Sequence, residues 1–173
     1  MDHSILFHEK QRFRQWWIVL ILLILNAVVV YGMIRQIMFG KPFGDQPMSD
    51  TGLWWVLGFL LLMTTVFFIT TLETQIRNDG LYIRFFPIHM KFRYLPWNRL
   101  SQCYVRSYSP IREYGGWGWR IGLAGRAYNI SGKEGLQLQL DGKRKLLIGT
   151  QKPEEMERIL KRINQWKDGR VLE

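Results

Sequence analysis

Cysteine is almost absent from this chain, since Cys103 is the only one among 173 residues. A single thiol excludes an intrachain disulfide and a cysteine-based zinc site, and it is compatible with a reducing cytoplasm. Histidine is also scarce, and His89 is the only one after residue 72. The sequence contains no Gly-x-Ser-x-Gly, His-Glu-x-x-His or paired-carboxylate pattern. We therefore expect no catalytic residue, no metal and no cofactor.

Charge is missing from two long apolar runs. Residues 16–34 and 51–72 are nineteen and twenty-two residues long and contain no Asp, Glu, Lys or Arg. As helices they would be about 28 and 33 Å long at about 1.5 Å per residue, which matches a hydrocarbon core of about 30 Å. The first run is too long for a signal peptide, and no Ala-x-Ala-like cleavage site follows it. The two runs predict a hairpin of transmembrane helices within residues 1–72.

Basic residues outnumber acidic ones, and the formal net charge is +10. Nineteen of the 24 lysines and arginines follow Leu72, and Lys10, Arg12 and Arg14 precede the first run. The connection between the runs has one Lys, one Arg and two Asp. By the positive-inside rule both termini are cytoplasmic and the connection is outside. We expect a multi-pass protein of the bacterial inner membrane.

Residues 73–173 alternate between apolar and polar side chains, which is typical of antiparallel strands. Asn78-Asp79-Gly80 and Asp141-Gly142 supply tight hairpin turns. Residues 88–95, IHMKFRYL, predict a further strand. This part of the chain therefore predicts a small antiparallel β-barrel or sandwich.

The last part of the chain changes to helical spacing. Pro153 and the glutamates after it favour a helix start. Met156, Leu160 and Ile163 then form an apolar stripe. The predicted fold is α+β, with a two-helix transmembrane hairpin in residues 1–72 and a cytoplasmic β-barrel or sandwich in residues 73–173. An amphipathic C-terminal helix caps the barrel or sandwich.

Four stretches in order, LPWNRL, GWGWRIG, AYNISGKEGLQLQL and LLIGTQKPEEMERIL, carry a family resemblance. The chain resembles the bacterial pleckstrin-homology-like (PH-like) domains of small membrane proteins, from about Leu72 to Trp166 and in the preceding helix pair. The resemblance implies a PH-like fold, membrane attachment and self-association. Lipid-binding PH domains use a long basic loop between their first two strands. Here that loop is only Asn78-Asp79-Gly80, so the usual phosphoinositide site is not carried over.

Basic side chains alternate with aromatic ones along the predicted strands. We expect Arg84, Lys91, Arg93 and Arg106 to form a basic face. Because the domain directly follows the second apolar run, an anionic bilayer is the better partner, and each Lys or Arg near its surface contributes about 1 kcal/mol. A nucleic-acid partner is not expected. The alternative is a solvated face that reflects only the positive-inside bias.

The stretch YGGWGWRIGLAG, residues 114–125, places five glycines beside two tryptophans. A phosphate-binding loop is not expected, because such a loop needs a helix N-terminus after the glycines and none is predicted. Two interpretations remain. Trp117 or Trp119 could fill the interior of the barrel, with glycines permitting the bend, or the stretch could contact a membrane.

Counting strand directions favours membrane contact. If the first strand leaves the bilayer at residue 73 and the strands then alternate in direction, the connection after the fourth strand returns to the bilayer. Residues 131–135 return there as well. Arginine and tryptophan suit the headgroup region. The predicted lipid-contact residues are Arg112, Trp117, Trp119, Arg120 and Lys133.

These expectations combine into a membrane-anchored interaction module without enzymatic activity. Its basic PH-like domain would bind anionic lipid or a protein partner at the inner leaflet, and the chain could also form a homo-oligomer. The alternative is an accessory or pore-forming subunit of an oligomeric transport assembly. Neither apolar run carries an ionisable side chain, which disfavours an ion relay. Asn26, Thr64 and Thr65 could form hydrogen bonds between the helices.

Overall fold

The structure, a computed structural model, describes residues 4–122, 124–140 and 144–167. The chain separates into two compact units. One, here called the β-domain, comprises the described residues of Met1–Phe13 and Thr70–Glu173. The other, the helical unit, is Arg14–Ile69. The predicted α+β class is confirmed.

The helical unit contains two long apolar helices. Helix α1 (Trp16–Met33) continues into a short π-helical segment, Ile34–Met38, and α2 spans Asp50–Ile69. The Asn26 amide donates to the Thr64 hydroxyl at 3.1 Å, so this predicted interhelical bond is present. Thr65 instead donates to the Leu61 carbonyl within α2.

The described residues of the β-domain contain nine strands. In chain order these are β1 (Ile5–Arg12), β2 (Thr71–Arg77), β3 (Gly80–Phe86), β4 (Arg93–Pro96), β5 (Leu100–Ser107), β6 (Gly118–Gly122), β7 (Gly125–Asn129), β8 (Glu134–Leu140) and β9 (Arg144–Gly149). Two short helices, a 3₁₀ turn (Trp97–Arg99) and α3 (Pro110–Tyr114), lie among them. The predicted turn at Asp141-Gly142 lies outside the described residues, and β8 and β9 on either side of it pair antiparallel.

The strand β1 was not predicted from the sequence, and neither were α3 and β6 in the connection after β5. Strand β1 pairs antiparallel with β2, with Arg12 opposite Thr71. The helical unit is therefore inserted between two neighbouring strands of one sheet, and the domain boundary differs from the predicted one at residue 72. The apolar alternation of β1 is hidden because its inward positions include Glu9 and Gln11, which are both buried. The second helix ends earlier than predicted, at Ile69, because the chain after it enters β2.

The strands form two sheets rather than the closed barrel that was one predicted form. Their orders are β1-β2-β3-β4 and β5-β8-β9-β7-β6. The second sheet is not fully antiparallel, since β7 runs parallel to β9. Gly125 permits this pairing, because its φ of 113° suits glycine and a Cβ there would lie 2.6 Å from the Lys145 carbonyl oxygen.

The strand predicted over residues 88–95 is shorter in the structure, where β4 begins only at Arg93. The preceding residues form a turn in which the His89 N–H donates to the Phe85 carbonyl at 2.7 Å. Pro87 cannot donate to a strand ladder, which favours an end to β3 at Phe86.

The C-terminal helix is confirmed as α4 (Pro153–Arg162). Met156 and Leu160 are fully buried in the main apolar cluster. That cluster also contains Phe7 of β1, Leu138 of β8 and Trp97. The core of the β-domain therefore draws on both sheets, on α4 and on the strand that precedes the helical unit.

Candidate functional site

The Gly-Trp stretch begins at α3 and leads into β6. Gly115 ends α3 with a φ of 71°, a left-handed conformation that favours glycine. Trp119 and Arg120 lie on β6, not in a loop, and both are exposed. Trp117 is half-buried, and its indole N–H donates to the Gly132 carbonyl at 3.3 Å.

This hydrogen bond joins the two connections that were predicted to lie together. The Tyr108 N–H also donates to the Lys133 carbonyl at 2.8 Å. Arg112 lies on α3 within the same connection, and both it and Lys133 are exposed. We call this end of the second sheet the Gly-Trp edge; its five residues are Arg112, Trp117, Trp119, Arg120 and Lys133.

The interior of the β-domain is not filled by these tryptophans. Trp119 is 44% exposed, and neither Trp117 nor Trp119 belongs to an apolar cluster of the described residues. The prediction that one of them fills a barrel is therefore wrong. Two isoleucines that the sequence analysis did not single out are exposed nearby, Ile111 on α3 and Ile121 on β6.

Contacts within the β-domain connect β1 with the end of β9 and the residues after it. The Gln11 side chain donates to the Gly149 carbonyl at 2.7 Å. The Thr150 hydroxyl donates to Glu9 at 2.6 Å, and the Thr150 N–H donates to the Glu134 carbonyl. The connection that carries Lys133 is thus linked to Glu9 of β1 through Thr150.

The four residues of the predicted basic face lie on both sheets. Arg84 of β3 forms an ion pair with Glu73 at 2.6 Å, and Arg106 of β5 forms one with Glu113 at 2.6 Å. Lys91 and Arg93 are exposed. Because two of the four charges are already paired with carboxylates, little of the attraction for an external anion comes from Arg84 and Arg106.

The carboxylates of these two pairs are ionised more readily than usual. Burial alone raises the pKa of Glu73, but hydrogen bonds from Arg84 and His8 outweigh burial and hold that pKa below its ordinary value. The hydrogen bond from Arg106 lowers the pKa of Glu113, and a second one from the Ser109 N–H acts in the same direction. Both pairs are therefore charged at neutral pH.

A cavity of about 650 Å³ lies between the two sheets of the β-domain. Its apolar walls include Ile83 and Leu95 from the first sheet and Tyr128, Leu140 and Leu146 from the second. Its lining includes Ile121, which follows Arg120 directly on β6, so the cavity begins next to the Gly-Trp edge and extends past the last residues of β6.

Four basic residues also line this cavity: Arg93, Arg126, Arg144 and Lys145. Its described lining includes no aspartate or glutamate. Only Arg93 was predicted as a site residue. The others come from β7 and β9, and only the parallel pairing of those strands brings them together. The basic run before LLIG was the one sequence signal that pointed to this position.

Comparison with known proteins places the whole architecture in one family. The model of DUF6141, a family of unknown function, matches residues 1–164. The chain belongs to this family. The DUF6141 match includes β1 and both apolar helices as well as the β-domain, so the inserted helical unit falls within the family pattern. Neither a curated protein nor a solved structure matches the chain.

The part of this DUF6141 chain that the structure describes contains possible metal ligands and a single thiol. Within it, no three His, Cys, Asp or Glu side chains come together in a group that could hold an ion. Cys103 is buried, and burial raises the pKa of its thiol to about 12. A thiol in that environment is inert at neutral pH.

Proposed function

We propose that this DUF6141 chain is a two-pass protein of the bacterial inner membrane whose cytoplasmic β-domain holds its Gly-Trp edge against anionic lipid. The pairing of β1 with β2 is the observation that supports a two-pass topology. Those strands precede and follow the two apolar helices, and hydrogen-bonded strands lie on the same side of a bilayer. Either both helices cross or neither does, which supports a hairpin over a single crossing.

The character of the helices supports crossing. The spans Trp16–Met38 and Asp50–Ile69 have mean hydropathies of 2.6 and 2.1. In their most apolar stretches, only 11% and 6% of the residues are buried, so these helices are not packed like core helices of a soluble protein. Leaving this much apolar surface in water is unfavourable, at about 25 cal/mol per Å². The lysine and arginine bias supports a cytoplasmic β-domain.

The described architecture is compatible with the PH-like resemblance. The β-domain has two sheets, and α4 packs its buried Met156 and Leu160 onto them. We propose a PH-like domain whose chain leaves after β1, forms the membrane hairpin and returns at β2.

Lipid contact is supported by residue types and by position. The exposed Trp119 and the basic Arg112, Arg120 and Lys133 suit a headgroup layer. None of these three basic residues forms a salt bridge among the described residues. The bonds from Trp117 to Gly132 and from Tyr108 to Lys133 hold the two connections that carry them together.

Cysteine accessibility tests the topology. In a Cys103→Ala background, we expect Asp45→Cys, in the connection between the helices, to react with a membrane-impermeant maleimide added to intact cells. Asn98→Cys, exposed in the 3₁₀ turn of the β-domain, should react only after permeabilisation. Labelling of Asn98→Cys in intact cells would contradict the cytoplasmic placement.

Spin-label depth measurements test the lipid contact. We expect a nitroxide at Trp119→Cys, in vesicles with anionic lipid, to be more accessible to oxygen than to a polar nickel complex. A nitroxide at Asn98→Cys is the matched control. The Trp97 indole donates to Arg77 and Asn78, so position 98 lies at the end of the first sheet opposite Thr71. Equal, water-like accessibility at both positions would exclude membrane contact by the Gly-Trp edge.

Salt and lipid charge give the second readout of the same experiment. Because exposed charges are screened within about 8 Å at physiological ionic strength, raising the salt should move the label at position 119 toward water. Neutral vesicles should have the same effect. A depth that is independent of both would mean that the basic residues of the edge do not hold it at the membrane.

A further inference from the structure

We propose that the cavity between the two sheets binds a single-chain anionic amphiphile, such as a long-chain fatty acid or a lysophospholipid. The site shares no lining residue with the Gly-Trp edge, although its Ile121 follows Arg120 of that edge on β6. The inference rests on the proposed function only in that a membrane would supply the ligand.

The walls of the cavity are suited to a hydrocarbon chain. Ile83, Leu95, Leu140 and Leu146 line a space of about 650 Å³. This volume lies within the range of about 300–1,000 Å³ that is typical of small-molecule sites. An alkyl chain in this space would bury apolar surface against these side chains.

The polar groups of the cavity are cationic. Arg93, Arg126, Arg144 and Lys145 line it, and none of the four forms a salt bridge among the described residues. All four are exposed, so together they give the mouth of the cavity a positive potential that would attract an anion. Arginine donors also match carboxylate and phosphate oxygens in geometry.

One of these cations is held in place by a buried partner. The Arg93 guanidinium donates to the Tyr128 hydroxyl at 3.2 Å, and Tyr128 is almost fully buried. The bond connects β4 of the first sheet with β7 of the second. It leaves the remaining guanidinium donors of Arg93 available to a headgroup.

The combination selects the ligand class. A small inorganic anion would leave the apolar walls uncovered, and a neutral lipid would leave the four cations unpaired. A two-chain phospholipid stays anchored in its bilayer, whereas a single acyl chain gives only reversible membrane binding. A single-chain amphiphile that can leave the bilayer would cover the apolar walls and pair with the cations at the same time.

Photo-crosslinking tests the proposal on the full chain in phosphatidylcholine nanodiscs. The probe is palmitic acid that carries a diazirine on its chain, and adducts are located by mass spectrometry. We expect adducts on peptides that contain Leu95 and Leu146. Excess oleate or lysophosphatidylglycerol should compete, and whichever competes better identifies the preferred headgroup. Oleyl alcohol and inorganic phosphate should not compete.

Variants separate this site from background labelling. Arg126→Gln with Arg144→Gln should lower cavity labelling about tenfold or more, since it removes charged hydrogen bonds. Ile121→Trp, at an exposed lining position, should block entry. Arg158→Gln with Arg162→Gln, both exposed on α4, removes the same two charges elsewhere and should change nothing. Protection of the buried Cys103 from maleimide confirms that each variant is folded.

Three outcomes would overturn the proposal: no adduct on the cavity peptides, labelling that persists in folded Ile121→Trp, or equal competition by oleyl alcohol. The test is independent of the membrane proposal. Cavity labelling together with failed topology labelling would retain the ligand site and remove the two-pass arrangement, and the reverse result would do the opposite.

Discussion

Phe7→Ala is expected to lower the free energy of unfolding of the β-domain by about 3–5 kcal/mol, the usual effect of truncating a buried phenylalanine. Phe7 is 2% exposed and belongs to the main apolar cluster. It lies opposite Ile76 of β2, which is fully buried. The substitution would leave a cavity between residues that are far apart in the chain, where the surroundings can relax only partly.

Cys103 provides the measurement in the intact membrane protein. It is the single cysteine of the chain and is 1% exposed, so it should react with a maleimide only when the β-domain unfolds. In a urea titration, this loss of unfolding free energy should lower the urea concentration at which half of Cys103 is labelled by about 2 M. Ile5→Ala is the control on the same strand, because Ile5 is 51% exposed and its loss should change stability by less than about 0.5 kcal/mol.

Equal midpoints for the two variants would mean that β1 is not part of the folded domain. The expected difference has a practical consequence for fragments. A chain that begins at residue 73 lacks β1 and leaves Ile76 and Leu81 without Phe7 beside them. Binding experiments on the β-domain should therefore keep residues 4–13.

Trp97→Ala is expected to have a similarly large effect, again about 3–5 kcal/mol. Trp97 is 7% exposed and packs in the main cluster. Its indole N–H donates to the carbonyls of Arg77 and Asn78, both at 3.1 Å, which fixes the turn between β2 and β3. Trp97→Phe should lower the free energy of unfolding by less than Trp97→Ala, because it keeps much of the buried apolar area and removes only the indole N–H donor.

Trp119→Ala is the matched control for this prediction. Its side chain is exposed, so the free energy of unfolding obtained from the Cys103 labelling curve should change by less than about 0.5 kcal/mol. If Trp119→Ala were as destabilising as Trp97→Ala, the Gly-Trp edge would be part of the core and the lipid-contact proposal would fail. The same variant in the vesicle experiment then reports binding without a change in folding.

Local features of the sequence were enough to predict several elements. The two apolar runs predict α1 and α2 because a charge-free apolar run of this length is too long for a strand. Met156 and Leu160 predict the buried face of α4, since their spacing of four residues places them one helical turn apart. Alternation predicts β8, in which Leu136 and Leu138 are fully buried.

The candidate sites were predictable only in part. The Gly-Trp edge was recognisable because its unusual residues are adjacent in the chain. The cavity was not, because Arg93, Arg126 and Arg144 lie on three strands of two sheets. The residues of the predicted basic face come from both sheets, because alternation gives the side of a strand but not the sheet to which that strand belongs.

The sequence by itself determined what depends on neighbours along the chain: the two apolar helices, the period of most strands and the amphipathic helix α4. The tertiary structure alone decided what depends on pairing across distance. It made a strand of Ile5–Arg12, because β2 supplies its partner and because Thr150 and Gln151 bind the buried Glu9. It also decided that Trp97 is buried and Trp119 is exposed, because burial depends on which distant parts of the chain pack around a side chain.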